Sequence, residues 1–108
     1  MKFHLMLTDD AVQDIQDIDA FISSHDSLEK ADYVLNMLEE SISSLASMPE
    51  RGAYPKELLE LGIKEYREVF FKPYRVIYRI IDDTVFVYII SDGRRDMQAL
   101  LARRLLAL

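Results

Sequence analysis

The chain has 108 residues, 30% of them charged, a formal net charge of −6 and no cysteine. That length suits one domain, residues 1–108, closing a single core without metal or disulfide support, and the missing cysteine excludes disulfides, thiolate metal sites and a cysteine nucleophile. The acidic balance argues against a general nucleic-acid binder, no apolar run approaches the roughly 20 residues of a membrane span, and Met1–Leu7 meets Asp9-Asp10 too soon for a signal peptide, so a cytoplasmic protein is expected.

Lys2–Leu7 predicts a short strand. Thr8 then caps a helix with Asp9 and Asp10 in its first turn, where the helix dipole favours anions. Val12, Ile15, Ile18 and Ile22, with Phe21 beside them, recur at helical spacing, and Asp10, Asp14 and Asp17 fall on the other, solvated side. Ser23-Ser24-His25 breaks the pattern. Asp26-Ser27-Leu28-Glu29 has capping-box spacing and opens a second helix. Its apolar stripe is Ala31, Val34, Leu35, Leu38, Ile42, Leu45 and Met48, and Pro49 ends it. Two amphipathic helices so closely joined form an antiparallel hairpin that must cover something. Pro49–Tyr54 reads as a loop, and Lys56–Leu61 as one helical turn stopped by Gly62.

Aromatic and β-branched residues bounded by turns then predict strands at Tyr66–Phe71, Tyr74–Ile81 and Thr84–Ser91. Asp82-Asp83 is a tight turn, so the last two strands form a hairpin. In the middle strand Arg75, Ile77 and Arg79 lie on one face, and Val76, Tyr78 and Ile80 on the other. Val85–Ile90 is apolar on both faces and needs cover on both, from the C-terminal segment or from a partner. Met97–Leu108 has helical composition. The expected architecture is α+β, βααβββ with a terminal helix, the helical hairpin packed on an antiparallel sheet.

Charge is unevenly spread. Residues 1–50 carry two lysines against 11 carboxylates, residues 51–108 carry 11 Lys and Arg against eight. A basic face for an anionic partner would produce this split, and so would two helices with acidic, solvated outer faces. The motifs for other chemistries are missing. Ser41–Ser47 lies on the second helix with no triad around it, His4 and His25 stand alone, and the aspartates of the first helix lack the glycine turn of a calcium loop. No metal or cofactor is expected. The arginines Arg67, Arg75, Arg79, Arg94 and Arg95 fall on or beside the sheet, and their planar forks suit phosphate or carboxylate. One chemistry they support is metal-free RNA cleavage by the 2′-hydroxyl, which needs cations and a base. The competing reading pairs them with Glu65, Glu68, Asp92 and Asp96 or with carboxylates on the first two helices. Arg75 is the strongest candidate, because Pro73, Tyr66, Tyr74 and Tyr78 surround it.

At Tyr66-Arg67-Glu68, Pro73-Tyr74-Arg75-Val76-Ile77-Tyr78 and Gly93-Arg94-Arg95-Asp96 the sequence resembles the RelE/ParE superfamily of toxins from bacterial type II toxin–antitoxin modules. The likeness spans nearly the whole chain, including the Pro-x-x-Gly loop and Lys56-Glu57-Leu58. For the ribonuclease branch it implies roles for Arg75, for Arg95 as the second basic position after the glycine, and for Arg67 on the preceding strand. Three positions depart from that branch: Val69 replaces a lysine, Leu101 stands near an expected tyrosine, and Asp92 replaces a histidine. The resemblance therefore implies a ParE-like toxin of a plasmid-stabilisation type, more inhibitor than enzyme. It would block a protein target such as DNA gyrase and be neutralised in a hetero-oligomer by a cognate antitoxin whose segment folds over the sheet and helical hairpin. Its functional surface would comprise Arg67, Tyr74, Arg75, Tyr78, Arg94 and Arg95. The alternatives are a RelE-like, ribosome-dependent, metal-independent mRNA endoribonuclease using Arg67, Arg75 and Arg95, and an inactive module that retains antitoxin binding.

Overall fold

The computed structural model describes residues 2–106. Leu108, read above as part of the terminal helix, lies outside them. Strand β1 (His4–Leu7) leads into helix α1 (Asp9–His25), capped by the Thr8 side chain, which accepts from the Ala11 amide at 3.1 Å. Helix α2 (Leu28–Ser43) is capped by Ser27, not Asp26: the Ser27 hydroxyl accepts from the Lys30 amide at 3.0 Å. Short 3₁₀ turns at Ser44–Ala46 and Pro49–Arg51 and a single helical turn, α3 (Lys56–Leu59), follow. Strands β2 (Tyr66–Phe71), β3 (Tyr74–Ile81) and β4 (Thr84–Asp92) and helix α4 (Met97–Leu105) complete the order expected from the sequence.

The sheet runs β1-β4-β3-β2. Strands β2, β3 and β4 are antiparallel, but β1 pairs with β4 in parallel, Leu5 opposite Val85, so the sheet is mixed. The α1–α2 hairpin and the segment after it carry the chain far enough to bring β4 in beside β1 pointing the same way, as a parallel pair requires. Asp82 turns the β3–β4 hairpin at φ 54°, a left-handed conformation that aspartate tolerates.

The two faces of the sheet carry separate cores. On one, the α1–α2 hairpin packs Ile22, Val34, Leu38 and Ile42 against Val69, Val76, Tyr78, Val85, Val87 and Ile90. On the other, Met97, Leu100 and Leu101 of α4 and Leu58 of α3 cover Ile77 and Ile89. The C-terminal helix thus supplies the second cover that β4 needed. Each fully buried Leu or Ile contributes about 1.5–3 kcal/mol. A bulge makes the two-sided strand work: Ile77 pairs with Ile89, yet Tyr78 pairs with Val87, so β4 holds one extra residue at Tyr88. Val85, Val87 and Ile90 therefore share a face, while Tyr88 and Ile89 both turn to the other.

Three expectations shift. Val12 is exposed, so the first apolar stripe is narrower than its periodicity suggested, and Met48 is exposed beyond the end of α2 at Ser43, so the second is shorter. Asp14 is buried, not solvated. Tyr78 is 0% exposed: its hydroxyl donates to the Pro49 carbonyl at 2.6 Å and accepts from the Gly52 amide at 3.1 Å. A Cβ on Gly52 would stand 2.5 Å from that hydroxyl, which is why the Pro-x-x-Gly loop closes with glycine. Tyr78→Phe is expected to cost about 1–3 kcal/mol in urea unfolding, because both loop groups lose a buried partner.

Candidate functional site

The arginine of the Tyr-Arg strand sits at the centre of a closed ion cluster. Arg75 on β3 is diagonal to Glu68 on β2, across the Phe70–Arg75 and Glu68–Ile77 pairs. Its Nε donates to Glu68 Oε1 at 2.7 Å, and its two Nη atoms fork onto Glu57 of α3 at 2.8 and 2.7 Å. Arg75 is 7% exposed and Glu68 6%. Gly93 lies over the arginine stem: a Cβ there would meet Arg75 Cδ at 2.9 Å, and its amide already donates to the Pro73 carbonyl at 2.8 Å. The glycine of Gly93-Arg94-Arg95 is thus required by packing on Arg75.

Two carboxylates surround one guanidinium, so the cluster is net negative. The hydrogen bonds to Glu57 foremost hold the Arg75 pKa above its ordinary value, so it stays charged. The same bonds hold the Glu57 carboxyl below 4.5. Burial pushes Glu68 the other way, upward, against the pull of Arg75. A carboxylate held low stabilises the fold above its ordinary pKa and loses that contribution as pH falls through the folded value. The stability gap between the parent and Glu57→Gln should therefore be open at neutral pH and close on acidification below about 4.5. A gap independent of pH in thermal melts would contradict this role.

The remaining candidates are dispersed. Tyr78 is interior. Arg67 lies opposite Tyr78 in the β2–β3 ladder, on the face away from Arg75 and Arg79. It donates to the carbonyls of Glu50 and Gly52 at 3.2 and 2.9 Å and stacks over Tyr54, 4.7 Å from the ring centre. Tyr74, Arg94 and Arg95 do come together, lining a cleft of about 480 Å³ between α1 and the end of β4. Arg94 there is bound to Asp92, with contacts from 2.6 to 3.2 Å, and this bond holds Asp92 below its ordinary pKa. Among the described residues the Arg95 side chain donates only to the Ser91 hydroxyl, at 3.4 Å. Burial raises the Tyr74 phenol, so it remains a neutral hydroxyl at ordinary pH. Val69 and Leu101 are core residues, 3% and 1% exposed. Among the described residues no cluster of His, Cys, Asp or Glu could hold a metal ion.

Sequence reasoning missed two pairs, Arg75 with Glu57 described above and one between helices α1 and α4. Arg104 of α4 forks onto Asp14 of α1 at 2.7 and 3.1 Å and also donates to the Tyr88 carbonyl at 3.1 Å. Asp14 accepts from the Ile90 amide at 3.0 Å. Strand β1 ends at Leu7, opposite Val87, so beyond it β4 is an uncovered edge, and these two side chains satisfy its backbone.

A helical hairpin and a short terminal helix on opposite faces of a β1-β4-β3-β2 sheet, with the Tyr-Arg strand at its centre, are the architecture of the RelE/ParE toxins. The family model described as "ParE toxin of type II toxin-antitoxin system, parDE" matches residues 5–97, and the chain belongs to this family. Solved structures share the fold. The chromosomal ParDE system from P. aeruginosa is similar at 17% identity and TM-score 0.70, covering 84% of this chain and 96% of that one. The RelBE2 toxin–antitoxin complex from Mycobacterium tuberculosis is similar at 19% identity and TM-score 0.62, covering 85% and 99%. A mutant of E. coli toxin RelE in the free state is similar at 15% identity and TM-score 0.65, covering 93% of each chain. No match was found among curated proteins.

Proposed function

We propose that this chain is the toxin of a type II toxin–antitoxin module and acts as a ParE-like inhibitor, by binding a protein target, DNA gyrase, in the cytoplasm. The observation that carries this reading is the commitment of Arg75. A residue that must steady a phosphorane needs its positive charge directed at substrate, and here two carboxylates neutralise it inside the fold. Leu101 in the core and Asp92 bound to Arg94 support the same reading, since leucine has no ionisable group and a carboxylate held low by Arg94 is a poor proton acceptor and donor. A cognate antitoxin is the second partner. The exposed aromatics Phe21 (61%), Tyr33 (53%) and Phe70 (54%) give a segment that folds on binding apolar surface to cover.

The test is a pair of assays on the purified chain. Loss of gyrase supercoiling activity, with cell-free translation and its mRNA intact, is the expected result. Arrest of translation with mRNA cleavage would overturn it in favour of the ribosome-dependent ribonuclease, and neither effect would leave a module that only binds antitoxin.

A further inference from the structure

A notch opens where β2 begins. Strand β3 runs on to Ile81, but its partner starts only at Tyr66, opposite Arg79, and residues 64–65 peel away. The cleft left there has a volume of about 240 Å³ and is lined by Lys64, Glu65, Arg67, Arg79 and Ile80. Its cations enter from both faces of the sheet, because Arg67 shares a face with Tyr78 while Arg79 shares one with Arg75 and Ile77.

Three arginines of the sheet and its flanks are already neutralised, whereas Arg67 and Arg79, like Arg95 and Arg103, have no carboxylate partner among the described residues, and of these only Arg67 and Arg79 converge on one cleft. Arg75, Arg94 and Arg104 are each bound to carboxylates. Among the described residues no carboxylate lies within 4.0 Å of Lys64, Arg67 or Arg79. Arg67 donates only to neutral acceptors, and the Arg79 guanidinium lies 5.7 Å from the centre of the Tyr66 ring, with no hydrogen-bond acceptor among the described residues. Both guanidiniums rest on tyrosine rings, which steadies them while leaving N–H edges for a ligand.

We infer that this notch binds a short acidic segment of a partner protein, one or two carboxylates of which pair with Arg79, Arg67 and Lys64. Charge complementarity fixes the sign of the ligand, and the surroundings fix its size. The turn at Glu50 on which Arg67 rests adjoins a cleft lined by Glu39 and Glu40, Glu65 stands in the notch itself, and the whole chain is net −6. A long polyphosphate chain would have to cross that negative surface, whereas a segment presenting one or two carboxylates need not. The inference rests on charge placement and holds whichever large protein the toxin inhibits.

The test is a titration of the full chain with an N-acetylated, C-amidated tetraglutamate peptide at low salt, followed through the arginine Nε–H signals by NMR. Tetraglutamine, inorganic phosphate and a short oligothymidylate are the comparison probes. Saturable shifts of Arg67 and Arg79 with tetraglutamate alone are expected. Arg79→Gln should weaken binding roughly tenfold with an unchanged unfolding midpoint, and Arg103→Gln, on exposed α4, should leave it unchanged. If Arg79→Gln disturbs the strand, Lys64→Gln in the exposed loop carries the same expectation. Equal response to tetraglutamine, equal weakening by Arg103→Gln, or tighter binding of phosphate or oligothymidylate would each overturn the inference, the last two probes by assigning the notch to phosphate.

Discussion

Arg75→Met lowers the stability of the fold by about 3–5 kcal/mol, because it strands two carboxylates that were buried only as partners of a guanidinium. The midpoint of urea unfolding should fall accordingly, and toxicity with it, through loss of folded protein. A second variant separates this role from chemistry. Replacing the whole cluster, Glu57→Leu, Glu68→Leu and Arg75→Met together, removes every charge and its desolvation cost. It should recover most of the lost stability, since apolar replacements of complete buried ion clusters are commonly neutral or better. An Arg75→Met protein as stable as the parent but without biological effect would show that the arginine serves a ligand and not the fold.

Asp14→Ala is expected to cost about 2–3 kcal/mol and to unlock one end of the sheet. The Ile90 amide loses its acceptor and Arg104 loses its carboxylate in a single change. Hydrogen exchange gives the sharper reading. The Ile90 amide should exchange at least about tenfold faster, while amides at the β2–β3 pair keep their protection. Asp14→Asn retains an acceptor for Ile90 and should keep most of that protection while losing the ion pair with Arg104. Uniform loss of protection across the sheet would mean that Asp14 supports the fold globally and not this edge.

These two residues mark where the sequence stops being readable. Element order and most strand limits follow from periodicity, because alternation and helical spacing are local. The need for cover on both faces of the last strand follows too, though not whether the last helix or a partner supplies it. Asp14 is different. It stands with Asp10 and Asp17 in what looks like a solvated stripe, and its burial follows from β1 being four residues long against nine in β4. Only strand pairing reveals that the far half of β4 lacks a neighbour. Arg75 stands out in the sequence as a candidate for a ligand, and Glu68 is among its possible partners, but Glu57 lies 18 positions away on α3 and no spacing rule joins it to the strand. The expected cationic surface also divides for a reason the pattern already held. Alternation set Tyr78 opposite Arg75, and the hairpin register gives Arg67 to the Tyr78 face. The Asp92–Arg94 pairing, two positions apart, is as local as any feature of the chain, and Asp92 stands among the candidate partners of these arginines in the sequence.

The bulge at Tyr88 has a consequence for how long this chain has to be. Removing Tyr88 would restore an uninterrupted ladder: Ile89 would still oppose Ile77, Val87 would still oppose Tyr78, and Ile89 and Ile90 would keep the faces they now hold. The deletion would forfeit the Tyr66–Tyr88 ring contact and the carbonyl that receives Arg104, but neither core would be turned inside out. A single residue can therefore enter or leave the chain at the middle of its most buried strand without shifting the frame on either side.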